Sequence, residues 1–532
     1  MGSTTRVGDS AKHAIGVSAA AWVLEHARAH PERRAVDGPE LRLTYGDLAG
    51  AVSALASDLR VAGFGPGARL LVSAPASPGA VVAILAAQAA GGSAVPVNRE
   101  LPDEALASVL AQTVARYAVL WAPDLERWAN VRGARSLGVW ALPDVASRQG
   151  DARGLAGAAP LRPDGAPARS VAEQEEPPQA VELDDEALVL FTSGSTGEPR
   201  GVVQSYRNIL ANTRSIVTYL RLGPDDRAMA ILPLFYCYGL SVLQTHLYVG
   251  GSAFLEPRSM YPRVVVDGLA REGCTGFAGV PLTFELLRRQ IDVAAVPKGR
   301  LRYVTQAGGA MARETIRWTR RSFAPALLFV MYGQTEATAR LAYLPPELAA
   351  EKEGSIGVAI PGVELRVLGT DGAELLAGAV GELVARGENV TRGYLGAPEE
   401  TAAVFREDGL HTGDLAYRDE DGFFHLVGRA KEMLKIGGHR VSPVQIEQVV
   451  MHHPGVLEAA VTGVPDSVKG ETPAVFVVLR GGQALTDGEL RAFCRAHLPA
   501  YCVPTTIRFL SALPRCGSGK VLKQHLARAA LD

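Results

Sequence analysis

LLVSAPASPGAVVAILAAQAAGGSAVPVN, residues 70–98, carries no charged side chain. A membrane span needs about 20 predominantly apolar residues, so length alone would allow one here. Pro75, Ser77, Pro78, Gly79, Gly91, Gly92 and Pro96 break the run. It divides better into a strand over 69–74, a buried Ala-rich helix over about 80–90 and a second strand over 93–97. That is a βαβ unit whose parallel strands are covered on both faces, and it places the chain in the α/β class.

Upstream, Leu48, Val52, Leu55 and Leu59 fall on one helical stripe. Thr44 and Asp47 read as a capping pair and Gly63 as the stop. The run GFGPG at 63–67 follows a helix and precedes a strand, the wrong order for a dinucleotide loop, so it reads as a turn. Downstream, strand and helix patterns alternate to about residue 340. Residues 149–183, rich in Ala, Pro, Gly and acidic side chains, read as a solvated linker or long surface loop. After about 355 the pattern turns strand-rich, as in 363–368, 381–385 and 422–427. From about 432, helices over 443–451 and 487–498 and a strand over 475–479 follow a separate apolar pattern. The expected architecture is a large N-terminal domain over 1–430, with βαβ sheets and a small β-rich subdomain. A small α+β domain over 431–532 follows it.

The bulk numbers agree with more than one core: 532 residues, 47% hydrophobic and 21% charged. A formal net charge of −2 gives no footing for a nucleic-acid or polybasic membrane surface. Five cysteines form no CxxC pair, and Met1 to His13 hold no apolar signal core, so a reduced cytoplasmic protein without membrane insertion is expected.

Four motifs carry chemistry. In LVLFTSGSTGEPRGV, 188–202, an apolar strand enters a loop of hydroxyls and glycines. Glycines let backbone N–H groups approach an anion, Thr192, Ser193, Ser195 and Thr196 add donors, and Arg200 adds charge. The spacing is not that of a Walker A loop. In FVMYGQTE, 329–336, Tyr332 can stack on a base, Thr335 can donate to a phosphate and Glu336 can hold Mg²⁺. In HTGD, 411–414, Asp414 can accept both hydroxyls of a ribose; GRAKEMLK, 428–435, follows it. PRCGSGK, 514–520, places Lys520 on a glycine-flanked tip. Taken singly, each also reads as a turn, a strand end or a solvated lysine.

In order, spacing and residues, the four together resemble the ANL superfamily of adenylate-forming enzymes. That superfamily comprises acyl- and aryl-CoA synthetases, nonribosomal-peptide adenylation domains and luciferases. The resemblance runs from about Thr44 to Lys520. It implies that Thr192, Ser193, Gly194, Ser195, Thr196, Gly197 and Arg200 cradle the ATP phosphates. Gly308, Gly309 and Ala310 would lie beside adenine, with Tyr332 stacked on it. Thr335 would meet the α-phosphate, Glu336 the Mg²⁺, and Asp414 and Arg429 the ribose. Lys520 would bridge the substrate carboxylate and α-phosphate. Lys431 matches the hinge about which the small domain moves, and Lys435 and Gly438 match the face where the thiol enters. Three departures stand out: Arg200 for the usual Lys, Tyr236 where many CoA ligases carry His, and Cys516 for a common Thr.

The implied reaction is ATP-dependent activation of a carboxylic acid to an acyl-AMP, with pyrophosphate release, then transfer to a phosphopantetheine thiol. The thiol belongs to coenzyme A or to a carrier protein. Amino-acid-activating relatives place an Asp where this chain has Cys237, so an α-amino acid is disfavoured, because a buried ammonium without a partner is costly. The acid pocket is expected from Tyr236, Cys237, Tyr238, Gly239, Val280, Ala307 and Gly308, an aromatic and apolar set suited to an aryl or short-to-medium acyl acid. The short stretch between Glu336 and Asp414 argues against the insertion of long-chain fatty acyl-AMP ligases. Two alternatives stay open: a stand-alone loader of a carrier protein in secondary metabolism, and a non-catalytic nucleotide-binding relative. The motifs leave the oligomeric state open.

Overall fold

The computed structural model describes residues 16–142, 160–161, 179–193, 199–258, 260–292, 296, 299–466, 468–515 and 521–529. The uncharged run forms the strand Arg69–Ser73, the helix Pro78–Ala89 and the strand Ser93–Pro96, with the two strands parallel. Ser77 caps the helix and Pro78 opens it, where a missing N–H costs nothing. All twelve residues of that helix are buried, which explains an apolar run with no polar face. It packs among Leu188, Ala228, Ala253 and Leu255, side chains from two different sheets.

One of these sheets has eight strands. Its centre is the βαβ unit, flanked on one side by the antiparallel hairpin Glu186–Ser193 and Pro199–Ser205. The other has nine strands, parallel through Ser252–Leu255, Arg227–Ala230, Gly276–Gly279, Tyr303–Gln306 and Leu327–Tyr332. The helix Tyr45–Val61 carries the expected capping box at Thr44 and Asp47 and buries Leu48, Val52, Leu55 and Leu59.

The segment read as a solvated linker is partly structured. Pro160–Leu161 pairs with Gly138–Leu142 at a sheet edge. Gln179 N donates to Ala89 O, and Val181 and Leu183 pack on the core. The reason is covalent continuity with the strand that starts at Glu186, which pulls its approach onto the sheet.

Two five-stranded sheets complete the chain. One joins Val363–Leu368, Gly381–Gly387, Gly409–Arg418, Phe405–Arg406 and Phe424–Arg429. The other joins Leu434–Ile436, His439–Val441, Val456–Asp466, Gly470–Leu479 and Thr506–Leu510, and builds its own core from Leu434 to Cys502. Helices Pro443–Met451 and Asp487–His497 contribute Ile446, Val450, Leu490 and Cys494 to that core. Among the described residues no helix is long and apolar enough to cross a membrane.

Candidate active site

The parallel strands of the nine-stranded sheet deliver residues to one edge, as open α/β sheets do at the carboxyl ends of their strands. Leu327–Tyr332 ends at Tyr332, and Tyr303–Gln306 runs into Ala307, Gly308, Gly309 and Ala310. Tyr332 is buried, and its Oη donates to Asp414 Oδ2 at 2.5 Å. Burial, then the Asp414 carboxylate, pushes the Tyr332 phenol well above its ordinary range, so it stays a donor. Asp414 and Arg429 stand directly opposite each other on paired strands, and Arg429 Nε lies 3.0 Å from Asp414 Oδ1. The Asp414 carboxylate in turn raises the Arg429 pKa. Three residues distant in sequence thus form one polar chain.

Thr335 and Glu336 lie on a single 3-10 turn, Thr335–Ala337. Thr335 Oγ1 donates to Cys237 Sγ at 3.5 Å, which joins this turn to the start of the helix Cys237–Tyr248. Gln204, on the hairpin strand Pro199–Ser205, donates to the carbonyls of Thr335 and Thr338 at 3.3 and 3.2 Å. Glu336 Oε1 accepts from Tyr394 Oη at 3.0 Å. Burial, then Glu336, raises the Tyr394 phenol, and Arg200 sits 5.1 Å over its ring. Arg200 also pairs with Glu400 at 2.5 Å. The two hairpin strands pair from Glu186 with Ser205 to Ser193 with Pro199 and hold Thr192 and Arg200 opposite each other. Gly194, Ser195, Thr196 and Gly197 lie outside the described residues, as do Lys520 and Cys516.

Mg²⁺ commonly takes one or two protein carboxylates and completes its shell with phosphate oxygens and water. Glu336 fits that role, with one oxygen held by Tyr394 and the other not engaged by it. Beside it, Gln334 Nε2 is buried with no hydrogen-bond partner among the described residues, a donor left for a bound group.

The residues expected to wall the acid pocket divide. Tyr236, Val280 and Gly308 meet: Gly308 has φ +89°, and a Cβ there would come 2.6 Å from Tyr236 Oη and 3.2 Å from Val280 Cγ1. Cys237 and Ala307 are buried beside them. Gly239 serves packing, since a Cβ would fall 2.3 Å from the Pro233 carbonyl. Tyr238 turns inward; its hydroxyl shares a 2.8 Å hydrogen bond with Thr305 Oγ1 and its ring meets that of Tyr236 edge-on. Over the other part of Tyr238 lies Arg340, with Cζ 4.1 Å from the ring centroid. No motif in the sequence marks Arg340, Tyr394 or Gln204. Their only signal is position, a few residues past Glu336 or across a strand pair. Lys431 occupies the single turn Ala430–Glu432; Lys435 and Gly438 are exposed on and beside the strand Leu434–Ile436, away from Tyr332 in sequence and sheet.

Comparison with known proteins agrees along the whole length. The family model for AMP-binding enzymes matches residues 23–395, and that for the AMP-binding enzyme C-terminal domain matches 445–520. The chain is 35% identical to a sulfoacetate–CoA ligase of Cupriavidus necator, over 97% of each protein. It is 32% identical to a feruloyl-CoA synthase of Amycolatopsis, covering 95% of this chain and 98% of the relative. The solved ATP-bound MatB of Rhodopseudomonas palustris superimposes with a TM-score of 0.83 at 27% identity, covering 96% of this chain and 99% of that one.

Proposed function

The chain belongs to the AMP-binding enzyme family as an AMP-forming acid–thiol ligase that uses ATP, Mg²⁺ and coenzyme A, and from that premise we propose how its residues divide the work. The polar chain Tyr332–Asp414–Arg429, standing beside Thr335 and Glu336, is the observation that carries the assignment. In this reading Asp414 and Arg429 receive the ribose, Tyr332 and the 307–310 segment flank the base, and Thr335 donates to the α-phosphate. Glu336 holds Mg²⁺, which lowers the repulsion between acid and triphosphate when bound. Thr192, Ser193 and Arg200, with Gly194, Ser195, Thr196 and Gly197, receive the outer phosphates. Lys520 meets the carboxylate as its oxygen bonds to the α-phosphorus and pyrophosphate leaves.

The division at 430/431, with Lys431 as hinge and Lys435 and Gly438 on the thiol side, belongs to the same proposal. So does a cytoplasmic setting, which five cysteines outside any CxxC pair suit. The acid is an aryl or short-to-medium acyl carboxylic acid without an α-ammonium, because Cys237 offers no charge to meet one. The two relatives' names span that range, one acid small and sulfonated, the other aryl. A carrier-protein thiol is the second acceptor to test, since coenzyme A and a holo carrier present the same phosphopantetheine arm.

The test is pyrophosphate release with ATP across an acid panel: malonate, succinate, sulfoacetate, propionate, butyrate, pentanoate, benzoate, ferulate and common amino acids. Mass spectrometry with coenzyme A or a holo carrier follows. Release with one or more non-amino acids and a coenzyme A thioester as product is expected. Strong exchange confined to amino acids would overturn the Cys237 argument, and binding of ATP with no release for any acid would make the chain a non-catalytic relative.

A further inference from the structure

Arg340 is 3% exposed, and no carboxylate among the described residues pairs with it. Its Nε donates to Met331 Sδ at 3.3 Å, and a thioether is a weak acceptor already shared with Tyr219 Oη at 3.0 Å. One further N–H reaches the neighbouring Ala339 carbonyl at 3.3 Å. The Tyr219 hydroxyl also shares a hydrogen bond with the guanidinium, but the adjoining phenols are no counter-ions: burial pushes Tyr219 up to about 12 and Tyr238 higher still. A buried cation left in this state is expensive.

The guanidinium lines a narrow cleft of about 20 Å³, the room of a water or of a carboxylate's oxygen end. Ile216, Leu220, Val242, Phe277 and Met331 make most of its wall apolar. The polar groups of the wall are already spoken for. Ser241 donates to the Tyr238 carbonyl, Thr245 to the Ser241 carbonyl, and Thr305 is joined to Tyr238. His246 is held by the Val242 carbonyl and Tyr303 Oη, and burial lowers its pKa, so it stays neutral. Arg340 is the one charged side chain of the lining.

The cleft lies one helical turn from where the proposed chemistry happens. Cys237, touching Thr335, opens the helix whose next turn brings Ser241 and Val242 to the cleft. At 1.5 Å per residue that separation is about 6 Å. We propose that Arg340 receives a second anionic group on the acid substrate, a carboxylate or sulfonate held by a short linker of at most about five bonds from the carboxylate that is activated. The inference rests on the adenylation site proposed above and narrows its acid from an aryl or short-to-medium acyl acid to a small doubly anionic one. The narrowness of the cleft agrees, because a ring or a long chain would have to displace Phe277 or Met331, whereas the oxygen end of a small acid matches the space of about 20 Å³.

The experiment compares kcat/KM for pyrophosphate release with malonate, succinate and sulfoacetate against propionate, butyrate, pentanoate, benzoate and ferulate. Wild type should favour at least one doubly anionic acid by about 100-fold or more over every monoanionic one. Arg340→Met should erase that ratio, and Arg340→Lys should retain part of it; circular dichroism reports whether each variant folds. Malonate against sulfoacetate separates the carboxylate from the sulfonate source. Turnover of butyrate or ferulate at rates matching or exceeding the doubly anionic acids overturns the inference while leaving the adenylation site standing. An unchanged preference in a folded Arg340→Met does the same. Release with no acid at all removes both readings. Because the wild-type ratio needs no variant, misfolding of Arg340→Met does not shield the proposal.

Discussion

Two buried arginines occupy opposite ends of the nine-stranded sheet and are treated in opposite ways. Arg227 starts the strand Arg227–Ala230 and is enclosed by Asp37 at 2.7 Å and Glu272 at 3.3 Å. Next to it Arg302 pairs with Asp226 at 2.6 Å, and Thr275 donates to the same carboxylate. At the far end, past Leu327–Tyr332, Arg340 has a sulfur, one carbonyl, the Tyr219 hydroxyl and a tyrosine face. Where the sheet only has to hold together, its charges are matched within the chain. Where it has something to receive, a charge and a donor, Gln334 Nε2, are left unmatched. A buried pair contributes little net stability, yet breaking one is costly. The contrast therefore separates a structural cation from a receiving one.

The sharpest way to break the contrast is Arg227→Met. It removes the closest partner of Asp37, a side chain 0% exposed whose remaining arginine, Arg34, stands 3.8 Å away, while Glu272 keeps Arg271 and Arg42; stability should fall by about 3–5 kcal/mol. Arg340→Met strands no carboxylate, and its unfolding free energy from urea titration should change by less than about 1 kcal/mol. Equal losses for the two variants would make Arg340 an ordinary structural residue.

A slightly smaller effect is expected for Lys520→Ala, which removes the cation that the receiving end borrows from elsewhere in the chain. Pyrophosphate release should drop by about 100- to 1,000-fold with far-UV circular dichroism unchanged. Retained release would mean that the lysine is not part of the site. Asp414→Asn keeps the size of the side chain but loses the charge that faces Arg429 and Tyr332. The KM for ATP should rise about tenfold, and kcat for a saturated enzyme should change less.

The least of the four concerns pH. Burial would raise the Asp419 pKa, but hydrogen bonds from His425, the Phe423 amide and Lys352 outweigh it and bring the carboxylate down to about 2. A folded pKa below the unfolded value of about 3.9 adds stability that is complete above about pH 4 and lost as pH falls through about 2. Acid unfolding followed by tryptophan fluorescence should therefore be steeper in this window for wild type than for Asp419→Asn. Equal slopes would deny Asp419 that role.

Much of the scaffold was legible because it depends on local pattern. The uncharged 70–98 run, the stripe of Leu48, Val52, Leu55 and Leu59, and the Thr44–Asp47 cap each form as read. The site was legible only in part. Tyr332, Asp414 and Arg429 were expected together through resemblance, and register supplies the physical reason: Asp414 and Arg429 face each other on neighbouring strands. Arg340 could not be read in advance. A lone arginine among small residues looks solvated until the helices Tyr206–Leu220 and Cys237–Tyr248 cover it, and that cover is tertiary. Tyr238 shows the reverse case. It was expected in the pocket wall, but the turn into the helix aims its hydroxyl at Thr305 and leaves its ring as the seat of Arg340. Tyr394 reaches Glu336 across 58 positions of sequence, with no local sign of the meeting.

The flanks of residues 516–520 have a further consequence. Arg515 bridges Val521, Leu522 N donates to the Pro514 carbonyl, and Arg515 also pairs with Glu458. Just beyond, Lys523 is gripped by Glu447 at 2.8 Å and Glu432 at 3.3 Å. Both flanks are thus riveted to the same C-terminal region, like the two jaws of a clamp. An epitope or a solvatochromic dye grafted between them would be held at both ends, and so could test whether the region turns as proposed when nucleotide binds.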